Sequence, residues 1–145
     1  MSEREGIQVF SPDRGCRPGT LGGVWSPVIT VPASGRFVFV SGLTSRAEDC
    51  SVAHVGDIEA QTRQVCENLV DHLDAVGATL DDVVKLVVYI RDVADFATIH
   101  AVRREFWPER SPVSTMVQVE SLVDSRSLIE IDATAWLAEP AAEPS

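Results

Sequence analysis

The sequence predicts an α+β domain: a mixed sheet of about six strands with two helices on one face. Three observations lead there. RFVFVSG, residues 36–42, is a compact β-branched and aromatic run that ends in glycine, the mark of a strand running into a turn. From Asp57 to Gly77, apolar residues recur at spacings of three and four, which is helical. Two alternating segments, STMVQVES at 114–121 and SLIEIDATAWL at 127–137, close the chain as strands.

Taken in order, SPDRGCRPGTLGGVWSP at 11–27 is punctuated by Gly, Pro and Ser, which predicts short strands joined by turns. After the 36–42 strand, TSRAEDCSVAHVG at 44–56 is a polar loop. Asp57 is placed to cap the first helix, and Ile58, Thr62, Val65, Leu69, Leu73 and Val76 form its apolar stripe. Gly77 stands where a left-handed residue closes a helix. VVKLVVYIRD, 83–92, is nearly continuous in β-formers. A second helix is expected over 94–107, burying Phe96, Ile99, Phe106 and Trp107, with Pro108 as its stop. LVDSR at 122–126 reads as a hairpin-type link, so the last two strands are expected to pair antiparallel. The strand–helix–strand units imply a parallel pair with a right-handed crossover.

The 145 residues suit one domain with one core, residues 1–138. The polar, Pro/Ala-rich stretch 139–145 is expected to be a disordered tail. A net charge of -10 and the lack of a basic cluster argue against nucleic acid as a partner. MSEREGIQVF has no apolar signal region, and no run approaches the ~18 apolar residues of a membrane span. No membrane partner and a cytoplasmic location are therefore expected. Cys16, Cys50 and Cys66 have no metal or redox spacing, and His54, His72 and His100 are scattered. No metal site is expected.

Two helices cover one face of such a sheet. Yet residues 83–90 and 37–40 are apolar toward both faces, as in strands buried on two sides. A second copy of the chain is the expected cover, and a homo-oligomer follows.

Three pieces together resemble the YjgF/RidA family. They are SG after an apolar strand (Ser41, Gly42), the AQ…NL helix leading into DVVK, and the closing IEI with its Glu130. The resemblance runs from about Gly22 to Ala135. It implies a chorismate-mutase-like fold, a homotrimer with a central barrel, and small-molecule clefts between subunits. It also implies cofactor-free hydrolysis of enamines and imines such as 2-aminoacrylate. By its motifs Ser41 and Gly42 line the cleft, and Glu130 holds the attacking water. A carboxylate in a partly desolvated cleft can move a proton to or from water. Asp132 on the same strand face is read as structural or solvated.

The chain departs from the family pattern at three places. Trp25 replaces a tyrosine, and His100 an asparagine; each is a candidate cleft residue. Ser114 stands two residues after Pro112, where the family has the arginine that grips a substrate carboxylate. Hydrogen bonds to a charged group are worth roughly 1.5–3 kcal/mol each, so losing two costs about 100-fold or more in binding. Ser114 and Thr115 are expected to line the cleft, and Arg110 or Arg46 are possible substitutes for the lost cation. The expected function is a deaminase-like or tautomerising enzyme for a small metabolite other than 2-aminoacrylate, neutral or more apolar. The alternative is a non-catalytic trimer that binds a metabolite or protein. A ribonuclease role, attached to parts of the family, fits the acidic charge poorly.

Overall fold

The structure, a computed structural model, describes residues 5–11, 24–140 and 142–145. Cys16 and most of the Gly/Pro-punctuated segment lie outside the described residues. Among the described residues are six strands and two α-helices: β1 Gln8–Phe10, β2 Val28–Thr30, β3 Arg36–Leu43, α1 Ile58–Asp74, β4 Val83–Ile90, α2 Phe96–Phe106, β5 Val113–Gln118 and β6 Ile129–Leu137. Beyond Leu137 the described residues form neither helix nor strand.

The strands divide into two sheets. The main one has the order β3-β6-β4-β5; β1 and β2 form a separate antiparallel pair. The pair does not extend the main sheet because it packs on it face to face. Ile7, Ile29 and Val31 close over Trp136 and Val84. β4 and β5, linked through α2, are the parallel neighbours. The expected hairpin between β5 and β6 does not form. β6 instead inserts between β3 and β4, antiparallel to both. The link between them therefore crosses from the β5 edge to the centre, which a hairpin loop cannot do.

α1 forms as its spacing predicts. Asp57 accepts from the Ala60 N–H at 3.0 Å. Val65, Leu69 and Leu73 are fully buried. The helix ends at Asp74, two residues short of the expected stripe, so Val76 lies outside it and is exposed. Gly77 takes φ +75°, open to glycine at little cost, and the Ala78 N–H turns back to Leu73 O at 2.9 Å.

α2 differs from expectation in its buried face. Ile99 and Trp107 are buried as predicted and Phe106 packs half-buried on the core, but His100, Val102 and Arg103 are buried too, while Phe96 is exposed. Both helices and β3, β4 and β6 share one core around Leu69, Leu86, Ile99 and Ile131. The alternation of β6 sends Ile129, Ile131, Ala133 and Ala135 into it.

Among the described residues, no helix covers the opposite face of the main sheet. Phe39 is 79% exposed there and Phe37 51%, with their rings stacked at 6.2 Å between centroids. Val117 on β5 is exposed on the same face.

Candidate active site

Register places Glu130 on the open face. It pairs with Tyr89, which pairs with Val117, and none of the three points at the helices. Opposite Asp132, β3 departs from regular pairing: Val40 meets Ala133 but Leu43 meets Ile131, so two residues stand where one would. Those two are Ser41 and Gly42. This β-bulge re-aims the strand and lets the Gly42 backbone approach the Glu130 side chain. A Cβ on Gly42 would meet Glu130 Oε1, Cδ and Cγ at 2.0, 2.9 and 3.1 Å.

The half-buried Glu130 borders a groove of about 490 Å3, which Gly42, Arg46, Asn68, His72 and Asp124 also line. Asn68 on α1 holds the groove wall, donating to the carbonyls of Thr44 and Arg46 at 3.1 and 3.0 Å. Arg46 lies 3.5 Å from Asp124 and donates to Cys50 O at 2.9 Å. Asp124 is held far below the usual carboxylate range, first by hydrogen bonds from Arg126. Asp132 accepts from the Tyr89 hydroxyl at 3.2 Å. That bond, then the charge of Asp132 and more weakly that of Glu130, raises the Tyr89 pKa. Around Glu130 the open face thus carries a second carboxylate, Asp132, bonded to a phenol.

A second group of candidates gathers at the start of β5. The segment after residue 23 runs along it: the Ser26 N–H donates to Pro112 O at 2.9 Å, and Ser26 Oγ donates to Ser111 O. Trp25 is half-buried between this anchor and Val24. The Val24 N–H donates to His100 Nδ1 at 2.9 Å. His100 is 4% exposed and packs on Phe96. Burial, then Arg103 and Arg104, pushes its pKa down to about 4, so it is neutral near pH 7. It is an internal acceptor, not a residue facing the groove of Glu130. Ser114 is half-buried and faces the helices, while Thr115 is exposed on the open face. Arg110 donates to Asp81 O and has no part in the Glu130 groove.

Arg103, which the sequence reading did not single out, is 0% exposed. Its Nη2 donates to Ser114 Oγ at 2.9 Å and to Val24 O at 3.1 Å. A cation that the sequence reading did not place near Ser114 thus stands one hydrogen bond behind it. Helical spacing held the signal, since Arg103 lies four residues from both Ile99 and Trp107 on the buried stripe.

The two groups do not meet within one chain. Ser114 is in register with Leu86 and Ala133, three positions from the Val117–Tyr89–Glu130 row. Strand spacing and rise put it roughly 14 Å from Glu130, on the opposite face of the sheet. Among the described residues, no cluster of three His, Cys, Asp or Glu side chains is placed to hold a metal ion.

This fold and its motifs have known relatives. The family profile described as endoribonuclease L-PSP matches residues 20–137, most of the chain. The chain belongs to the YjgF/RidA family. Among relatives of this YjgF/RidA chain is the 3-aminoacrylate deaminase RutC of Acinetobacter baylyi. The two are 38% identical over 110 residues, 76% of this chain and 86% of that protein. A RutC family protein of Pyrococcus horikoshii is 39% identical over 103 residues, 71% of this chain and 81% of its own. The Rid protein YyfB of Yersinia pestis superposes with a TM-score of 0.81 at 29% identity, over 91% of this chain and 99% of that one. RidA from an Antarctic Psychrobacter superposes with a TM-score of 0.67 at 28% identity, over 92% and 100%. The two helices and mixed sheets of this chain are the family's fold.

Proposed function

We propose that this chain is a cofactor-free enzyme of the YjgF/RidA family. It acts on a small enamine- or imine-type metabolite by hydrolytic deamination or tautomerisation. The observation that carries this reading is the packing of Glu130 against Gly42 at the β3 bulge, which fixes a carboxylate in a groove large enough for a small metabolite. A relative at 38% identity with a deaminase activity supports the reaction class. In the proposed reaction, an enamine first gains a proton at carbon to become the iminium ion. Water held by Glu130 then adds to the iminium carbon, giving up a proton to the carboxylate and forming a neutral carbinolamine. Return of that proton to nitrogen makes ammonia the leaving group, and as it departs the hydroxyl gives its proton to Glu130, which leaves the carbonyl and restores the proton first spent at carbon. General acid–base work of this kind contributes typically 10²–10⁴-fold to rate.

The complete cleft is proposed to lie between identical chains in a trimer. Two facts support this. The helix-free face exposes Phe37, Phe39 and Val117, a patch unsuited to open water. Glu130 and Ser114, the two ends of the family's site, lie too far apart to serve one small substrate within a chain. The β3–β6 side of one subunit would stand beside the β5 edge of the next. With Ser114 in place of arginine, the bidentate carboxylate clamp is gone. The standard 2-aminoacrylate reaction is expected to be slow, and another substrate of the class preferred. Loss of the clamp is also what favours the second reading, a binding protein without turnover.

Loss of 2-iminopropionate, generated in solution, tests both readings with wild type, Glu130→Ala and Ser114→Arg. Weak wild-type turnover, raised by Ser114→Arg and abolished by Glu130→Ala, is expected. A panel of enamines and imines without any Glu130-dependent turnover sinks the enzyme reading in favour of the binding protein.

A further inference from the structure

The groove beside Glu130 contains a cation that the proposed reaction leaves unused. Arg46 lines it with Glu130, Glu48, His72 and Asp124. Its backbone is fixed: Asn68 donates to Arg46 O at 3.0 Å, and Arg46 pairs antiparallel with Val52 as an isolated bridge. Its side chain is 41% exposed. The guanidinium donates to Cys50 O at 2.9 Å and stands 3.5 Å from Asp124, both through Nη1. Neither contact uses the Nε–Nη2 edge, from which the planar fork can grip a carboxylate through two parallel hydrogen bonds.

Asp124 belongs first to Arg126. Its Oδ1 accepts from Arg126 Nε and from the Arg126 backbone N–H, each at 3.0 Å, and its Oδ2 accepts from Nη2 at 2.7 Å. Those bonds, ahead of the charge of Arg46, hold its pKa below the usual carboxylate range. At 3.5 Å, Arg46 is farther off than the about 2.7–2.9 Å of a charge-assisted hydrogen bond. An ion pair this exposed is cheap to part. Two guanidinium groups share one carboxylate, so positive charge is left over at this wall. Glu48 and Glu130 keep the lining as a whole from being basic. An acid group must therefore be held by the fork itself, at short range.

We propose that Arg46 is the residue of the Glu130 groove that binds a substrate carboxylate, and that Asp124 competes for it in the free protein. The proposal rests on the enamine/imine reading and deepens it. The substrate is a small oxo- or imino-type acid. Its acid group takes the Nε–Nη2 edge and draws Arg46 off Asp124, while its reacting carbon faces Glu130 in the same groove. Asp124 keeps Arg126 throughout, so the exchange leaves no carboxylate without a cation. Competition from Asp124 makes the grip weaker than an unopposed clamp.

Calorimetric titration of the full-length protein with 2-oxopropanoate and with its amide tests this. The variants are Arg46→Gln, Arg46→Lys, Asp124→Asn and the double variants carrying Asp124→Asn. Wild type is expected to prefer the acid by about threefold, a charge-assisted hydrogen bond discounted for the competitor. Arg46→Gln should erase that preference, and Arg46→Lys should keep part of it. Asp124→Asn retains an oxygen acceptor for Arg126 and should raise the preference to about tenfold. In the Arg46→Gln background Asp124→Asn should restore nothing. A merely structural bridge gives another pattern: both single variants break the same contact, shift melting temperature alike and leave the acid/amide ratio unchanged. If Arg46→Gln does not fold, the Arg46→Lys pair closes the same cycle, and the gain from Asp124→Asn should shrink there. An equal gain from Asp124→Asn in every background, an unchanged ratio in folded variants, or no acid preference in wild type, absence of binding included, overturns the proposal. Glu130-dependent imine turnover without acid preference would leave the enzyme reading standing and remove the role of Arg46. Acid preference without Glu130-dependent turnover would do the reverse.

Discussion

Glu130 lies so close against Gly42 that a methyl group on the glycine would stand 2.0 Å from Oε1. Gly42 is not among the glycines with positive φ, so what the position requires is space, not unusual backbone. Gly42→Ala should therefore fold normally and swing the flexible carboxylate out of place. Melting temperature is expected to change by a few degrees at most, while turnover drops about 10–100-fold, as for a displaced catalytic group. Steady-state rates beside a thermal melt check this; full activity in the alanine variant would show that the contact does not set the carboxylate.

Phe39 offers a test of assembly. It is 79% exposed in the single chain, so Phe39→Glu should cost the subunit little, within about 0.5 kcal/mol. If identical chains cover this face, the variant sediments as single chains and loses Glu130-dependent turnover. An unchanged sedimentation coefficient would place the interface elsewhere.

His100 predicts an acid-side loss of stability. Its pKa is near 6.5 in the unfolded chain and about 4 in the folded one. As pH falls through 6.5 the unfolded state takes up a proton that the native state refuses, so stability declines from about pH 6.5 down to about 4. Carboxylates held low by partners, such as Asp49 and Glu105, act only in the lower part of that range and below it. His100→Asn retains a side-chain acceptor for the Val24 N–H and does not titrate. Urea midpoints at pH 7 and pH 5 should converge in that variant and differ in wild type.

Gln61 ties α1 to the turn before β6. Fully buried, it donates to Arg126 O at 2.9 Å and accepts from the Leu128 N–H at 2.8 Å. Gln61→Ala strands both backbone groups and should cost about 2–4 kcal/mol at the usual penalty for unpaired buried polar groups. Denaturant unfolding measures the loss; a change below 1 kcal/mol would mean that water replaces the amide.

Local structure was legible where local chemistry decides it. The Asp57 cap and the Val65–Leu69–Leu73 stripe announced α1, and the alternation around Ile129 and Ile131 announced β6 with Glu130 on its other face. Strand order was not legible, because Ile129 and Ile131 alternate alike in an edge strand or a central one. Nothing in LVDSR distinguishes a hairpin from a crossing link. Arg103 was overlooked because its charge suggested solvent, although its spacing from Ile99 and Trp107 placed it inward. The serine at 114 was read in isolation for the same reason: its partner lies eleven residues away, on another element.

The position of β6 bears on how the chain comes to be. β3 and β4 have no contact as strand neighbours until the final strand enters between them. On the ribosome, everything through β5 would emerge with a gap at the heart of the sheet and two unsatisfied backbone edges, open to chaperones or to aggregation. Closure of that gap and arrival of Glu130 are one event, so a nascent or truncated chain is folded and furnished with its carboxylate together, or neither.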